Sequence, residues 1–168
     1  MSSREPRPSP LPLPSAYGSA TSPMAWSEVD QFLTDARVYW IATTRSDGRP
    51  HVVPSDGIWL DGALYFGGSH ETVHMRNVRA NGHAVAHVGD GLSAAVMLEG
   101  TVVDETPTRG TAERLAEANN TKYADYGLAM DAEHYLKTGV TALHGRRVIA
   151  WTRFPDNATR FTFTDADP

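Results

Sequence analysis

The stretch IATTRSDGRPHVVPSDGIWLDGALYFGGSHETVHMRNVRANGHAVAHV, residues 41–88, decides how this chain folds. It begins inside RVYWIATT (37–44), whose β-branched and aromatic residues favour a strand. Asp47-Gly48 follows, a pair that tolerates positive φ and so makes a tight hairpin. PHVVPSDGIWL (50–60) returns as a second strand. Pro54 lies within it and has no amide to give to a ladder, so the strand sits at an edge or is bulged there. Asp61-Gly62 turns the chain again into ALYFGG (63–68). Ser69 then caps a helix over 70–81 that Gly82 ends, and HAVAHV (83–88) is a further strand. Two Asp-Gly hairpins in succession make an antiparallel meander.

Working outward, WSEVDQFLTDA (26–36) reads as a helix capped by Ser27, with Val29, Phe32 and Leu33 on one face. LSAAVMLEGTVVDE (92–105) is a long strand bent at Gly100. Thr106-Pro107 starts a helix over 107–122, and a second helical piece covers 131–137. RRVIAWTRF (146–154) and ATRFTF (158–163) close the chain as strands on either side of Pro155-Asp156-Asn157. Connections this short do not make parallel βαβ units. The expected fold is mainly β with peripheral helices: a six- to seven-stranded antiparallel barrel, whose closure removes exposed sheet edges.

The chain has 168 residues, 40% of them hydrophobic and 21% charged, a soluble globular composition for one domain with a real core. It has no cysteine, which excludes disulfides, thiol nucleophiles and cysteine-held metals. A formal charge of -5 argues against nucleic acid as a partner. No apolar run approaches a membrane span. Residues 1–24 carry six of the eleven prolines and almost no periodicity, and proline interrupts any secretory apolar core. They are expected to be a disordered or extended proline-rich arm, with the cofactor-binding domain over 25–168 and a cytoplasmic location.

HETVH (70–74) matches the H-E-x-x-H pattern, in which two histidines share one helix face and ligate zinc. Asn77 and Ala80 stand where the extended motif has glycine and its third histidine, and the pair begins in the first helical turn. No metal site is therefore assigned. The same residues suit an anion better. Glycines before a helix let backbone approach a ligand, and the free amides and helix dipole favour negative charge. Ser69 and Thr72 add hydroxyls and Arg76 a guanidinium, while Glu71 counts against an anion unless it points away.

In order and spacing, SDGRPHVVP, DGALYF, the Ser/Thr-rich turn, RNVRANG and HAVAHV together resemble the pyridoxamine 5'-phosphate oxidase-like family of flavin- or deazaflavin-binding split barrels. The resemblance is strongest over residues 35–105, and AWTRFPDNATRFTF is similar to the end of the branch that includes deazaflavin users. It implies an FMN-binding split-barrel fold and a homodimer with cofactor sites at the interface. His51 and the backbone near Val53, Pro54 and Ser55 would lie beside the ring. Gly68, Ser69, Thr72, His74, Arg76 and Asn77 would face the phosphate end, and a partner chain would contribute Trp151 and Arg160. His74 stands where the family usually has lysine, which shifts phosphate binding onto Arg76 and backbone groups.

The implied cofactor is FMN or the deazaflavin coenzyme F-420, and the implied activity is hydride transfer to or from a small planar substrate. Asp56 and Trp59 join His51 and Ser55 as ring-side candidates, and Tyr123, Tyr126 and Tyr135 as candidates for a pocket rim. Each also has a structural reading: Trp59 as core, Asp56-Gly57 as a bulge, the tyrosines as packing. No catalytic residue is assigned. A non-catalytic protein holding flavin, haem or a tetrapyrrole on the same fold, and more remotely a zinc hydrolase using HETVH, are the alternatives.

Overall fold

The computed structural model describes residues 5–127 and 129–163, so residues 1–4 of the arm and 164–168 of the domain lie outside the described residues. The strands are β1 (Arg7–Pro10), β2 (Tyr39–Thr44), β3 (Pro50–Ser55), β4 (Gly57–Leu60), β5 (Ala63–Phe66), β6 (His83–Val88), β7 (Ala95–Glu105), β8 (Val140–Trp151) and β9 (Thr159–Thr162). The helices are α1 (Trp26–Asp35), α2 (Val73–Asn81), α3 (Arg109–Lys122) and α4 (Ala132–Thr138), with single 3-10 turns at Ser15–Tyr17 and Ala124–Tyr126. None of the described helices is long and apolar enough to cross a membrane.

All pairings are antiparallel, and they close a circuit. β6 pairs β2 and β7, β2 pairs β3, β4 pairs β5, β5 pairs the first half of β8, and β8 pairs β7 along its length. β3 and β4 are one strand kinked at Asp56, so the expected second strand is split in two and the barrel is complete. Pro54 is tolerated because β3 pairs only β2, leaving the proline nitrogen without a ladder to serve. The register of β7 against β8 slips between Glu99 and Gly100, where the sequence predicts a bend. A Cβ at Gly100 would stand 1.9 Å from the His144 carbonyl oxygen, so only glycine lets these strands meet. Beyond that bend the second half of β8 pairs β9. The result is the antiparallel split barrel with peripheral helices.

The core fills the barrel and the space under α1. Tyr39, Ile41, Leu64, Leu98, Leu143, Val148 and Phe161 are buried together with Val29 and Leu33 of α1. Trp26 packs edge-on against Trp59 (6.4 Å), Phe161 (5.3 Å) and Phe163 (5.4 Å). Phe32 sits at the rim of the α1 face and is exposed.

Several expectations need correction. The arm, expected to be disordered or extended, is extended and laid on the barrel over its described residues: β1 pairs β9, Thr21 and Ser22 amides donate to Asp156 O, and Met24 is buried. The open edge of β9 supplies the partners that a proline-rich segment lacks within itself. Ala25, not Ser27, caps α1, because Glu28 reaches back to the Ala25 amide (3.0 Å). Thr108 rather than Thr106 caps α3, accepting from the Thr111 amide (3.2 Å). β8 begins at Val140, not Arg146, since VTALHG alternates against β5 and β7. α2 begins at Val73, not His70: Ser69 turns the chain by accepting the Thr72 amide on its carbonyl (2.9 Å).

Candidate functional site

The late start of α2 decides the chemistry of HETVH. His70 lies in the exposed turn and only His74 in the helix, so the two imidazoles do not share a helix face. His74 is buried, and its Nε2 lies 3.2 Å from the Gly67 carbonyl oxygen. A carbonyl only accepts, so Nε2 carries the proton and is committed to the backbone. Among the described residues no cluster of three or more His, Cys, Asp or Glu is arranged to hold a metal. The zinc reading loses its geometry here.

What remains at the turn is a set of donors. Gly67, Gly68, Ser69 and His70 are exposed ahead of α2, so their backbone is open to a ligand. Thr72 caps the helix, and its hydroxyl donates to Ser69 O (2.7 Å). The Ser69 hydroxyl accepts the Glu71 amide (3.3 Å), which leaves its own proton to give. The exposed Arg76 guanidinium donates to the Glu71 carbonyl, using part of its fork. Gly68 is required by contact: a Cβ there would lie 2.7 Å from His74 Nε2.

His74 was expected to face a phosphate; it lies beneath the turn instead, as the pin that holds Gly67 and Gly68. Asn77 is buried too, its Nδ2 donating to Thr43 Oγ1 (2.9 Å), which fastens α2 to β2. On β3 the side chains of His51, Val53 and Ser55 share the inward face with their partners Thr43, Ile41 and Tyr39. His51 Nδ1 lies 3.4 Å from the Arg45 guanidinium. Burial, then the charges of Arg45 and His74, hold its pKa below the ordinary imidazole value. Ser55 Oγ donates to Asp56 O (2.9 Å). Pro54 faces outward, opposite Trp40.

Trp151 and Arg160 do not meet the turn within this chain. They lie on the outward sheet face: Pro54, Trp40, His87, Met97, Ile149 and Arg160 follow one another across the register, and Trp151 is one pleat along from Ile149. Trp40 and Val52 are 47% and 56% exposed on that face, a large apolar surface for one chain to leave open.

A cleft of about 560 Å³ adjoins the turn, within the range of small-molecule sites. Its floor includes Gly57, Ile58, Phe66 and Met75, and its far wall is Leu115, Asn119, His134, Tyr135 and Thr138 from α3 and α4. Sequence reasoning named Asp56, Gly68 and Tyr135 for the site and all three line this cleft, but it passed over the rest of the α3–α4 wall. Trp59 is core, its indole N–H donating to Asp30 (2.8 Å). Tyr123 is a buried strut: its hydroxyl accepts the Gly57 amide (2.9 Å) and shares its proton between the carbonyls of Arg37 and Gly57 (3.0 Å each). Tyr126 is exposed and stacks on Tyr123. Lys122 Nζ donates to Ala36 O (3.0 Å) and Tyr39 Oη (3.2 Å) beside the same kink. Its burial lowers its pKa to about 8.

Known structures share this architecture. A conserved hypothetical protein from Mycobacterium tuberculosis superposes with a TM-score of 0.62 at 20% identity, over 79% of this chain and 88% of that one. A heme binding protein from Mycobacterium smegmatis gives 0.62 at 21% identity, over 90% of this chain but 60% of that one. An F-420 reductase gives 0.53 at 19% identity, over 71% and 94%. At these identities the likeness is one of fold. No curated protein matches the chain. The family model described as pyridoxamine 5'-phosphate oxidase matches residues 25–152, most of the chain and all of the turn and cleft described above, and the chain accordingly belongs to that family.

Proposed function

We propose that this protein is an oxidoreductase that uses FMN or the deazaflavin coenzyme F-420, works as a homodimer, and exchanges hydride with a small planar substrate. The observation that carries this reading is the exposed Gly67–Thr72 turn, with Ser69 and Arg76 as donors, opening beside a cleft of small-molecule size. The donor set fits a phosphorylated cofactor: hydroxyl, guanidinium and open backbone at the start of α2, where the helix dipole also favours an anion. When bound, the ring supplies the redox chemistry.

The protein's own part is to hold and to shape. Ser69, Thr72 and Arg76 would take the phosphate end, and the β3 backbone from Val53 to Ser55 the ring side. His74 and Asn77 keep the turn and helix in place from beneath. The buried Phe66 and Ile58 and the half-buried Tyr135 of the cleft would exclude water around a substrate. The outward apolar face around Trp40 and Val52 suits burial against a second copy, and it is the face that bears Trp151 and Arg160.

Non-catalytic holding of a flavin or tetrapyrrole is the second reading. It is favoured by the inward His74, which leaves Arg76 as the sole lysine or arginine between residues 67 and 77. Absorbance of the purified full chain and mass spectrometry of what it releases decide the cofactor. A flavin or deazaflavin band, turnover of the reduced form and a dimer by sedimentation support the enzyme. A Soret band, or tight binding with no turnover across a substrate panel, refutes it. Arg76→Ala is expected to weaken FMN or coenzyme F-420 binding by roughly tenfold, the effect of losing one charge-assisted contact, with an unchanged circular dichroism spectrum.

A further inference from the structure

We infer that the cleft between the barrel and the α3–α4 pair binds an aromatic molecule carrying a positively charged nitrogen, with Asp56 as its counter-charge. The inference deepens the oxidoreductase reading by naming the substrate class of the adjoining cleft, yet it rests on the cleft's own chemistry.

Of the acidic side chains that line the cleft, only Asp56 has no side-chain partner among the described residues. Arg79 is paired with Asp104 (3.1 Å), and Asp104 also accepts from the Thr141 hydroxyl (2.6 Å). Glu105 is bonded to His144 (3.1 Å). Asp56 is exposed at the kink between β3 and β4 and has no ion-pair partner among the described residues. Its side chain accepts nothing from the described residues; Ser55 Oγ donates to its backbone oxygen instead. The unbalanced charge at the mouth is therefore negative. His70, His134, Tyr65 and Tyr135 are the other titratable groups that line the space.

The walls supply the rest of the recognition. Ile58, Phe66, Met75 and Leu115 form a buried apolar floor. Tyr65 and Tyr135 are half-buried beside it, and neither hydroxyl has a hydrogen-bond partner among the described residues. Burial first, and then the negative field of Asp56, raises the pKa of Tyr135, so it stays protonated and able to donate. A flat ring on the floor, phenolic groups at its edge and a cation at Asp56 match the carboxylate and the two phenol hydroxyls that have no partner among the described residues. An anionic ring would meet Asp56 as a like charge.

The test compares two probes with the same ring and opposite charge, tyramine and 4-hydroxyphenylacetate, by calorimetry and backbone amide NMR on the full chain. Tyramine is expected to bind at least fivefold more tightly, with shifts at Asp56–Ile58, Tyr65 and Tyr135. Asp56→Asn should cut tyramine affinity about fivefold without changing the melting temperature, because the residue is exposed. Thr138→Trp, which fills the mouth from an exposed position, should abolish binding of both probes. Equal affinity for the two probes, tyramine binding indifferent to Asp56→Asn, or no binding of tyramine at all overturns the inference. Probe binding needs no cofactor, so a protein that takes tyramine but no flavin would refute the oxidoreductase reading and leave this one standing.

Discussion

Replacing Tyr123 with phenylalanine removes one oxygen from the point where three elements meet. The hydroxyl accepts the buried Gly57 amide and gives its proton to the carbonyls of Arg37 and Gly57, tying the end of α3 to the β3–β4 kink and to the start of β2. The ring itself is retained, including its stacking on Tyr126 at 5.4 Å, so apolar burial changes little. The loss is one net hydrogen bond plus a buried amide left without its acceptor, together about 2 kcal/mol. For a chain of this length, about 2 kcal/mol lowers the melting temperature by roughly 4–8 °C. Urea unfolding at neutral pH should report the same loss with an unchanged slope. Amide NMR should place the spectral changes at Asp56–Ile58 and the α3 terminus. A melting temperature within about 1 °C of the parent would refute the strut, and with it the claim that α3 sets the kink that shapes the cleft.

Two further outcomes follow from the same structure. Lys122 loses its proton at about 8 in the folded chain and near 10.5 when unfolded, because burial disfavours its charge. Between those values the unfolded chain holds more protons, so this residue makes stability rise from about pH 8 toward pH 10, and Lys122→Met should remove that rise. Denaturant curves at three pH values across the window check it, and parallel pH profiles for parent and variant would contradict it. Gly68→Ala forces a Cβ against His74 Nε2 and should cost about 1–3 kcal/mol. His74→Ala should relieve that clash, so a double-mutant cycle should show strong non-additivity, whereas simple additivity would mean the two do not touch.

Much of the barrel was legible because it is written in local signals. Asp47-Gly48 and Asp61-Gly62 fix two hairpins, Gly82 ends α2 in the left-handed region (φ 70°), and Gly100 marks the bend in β7. Each of these depends on backbone freedom at one residue. The pieces that escaped depend on partners far away in the chain. β1 exists because β9 offers an edge some 150 positions later, and nothing in RPSP announces that pairing. The first half of β8 is specified by β5 and β7 together. The α3–α4 wall carries a weak amphipathic pattern, since only Ala112, Leu115 and Ala116 of α3 are fully buried.

The glycines of the turn were legible in the sequence, but the inward orientation of its histidine was not. Ser69 is as good a helix cap by type as Thr72, and sequence spacing alone does not choose between them. Choosing Thr72 moves His70 out of the helix, and the zinc pattern dissolves as a consequence. Burial of His74 likewise depends on Phe66 behind it, a packing fact with no local signature.

The first strand has one more effect. The Leu11 amide donates to the Ala158 carbonyl, so positions 7, 9 and 11 turn their nitrogens toward β9, and positions 8 and 10 turn theirs to the outside. Both outside positions are proline. The rim of the sheet therefore presents carbonyls with no donors between them, and an incoming strand from a stray molecule would find no ladder to climb. By adding a last row that cannot itself be extended, the arm seals the barrel's open flank against polymerisation.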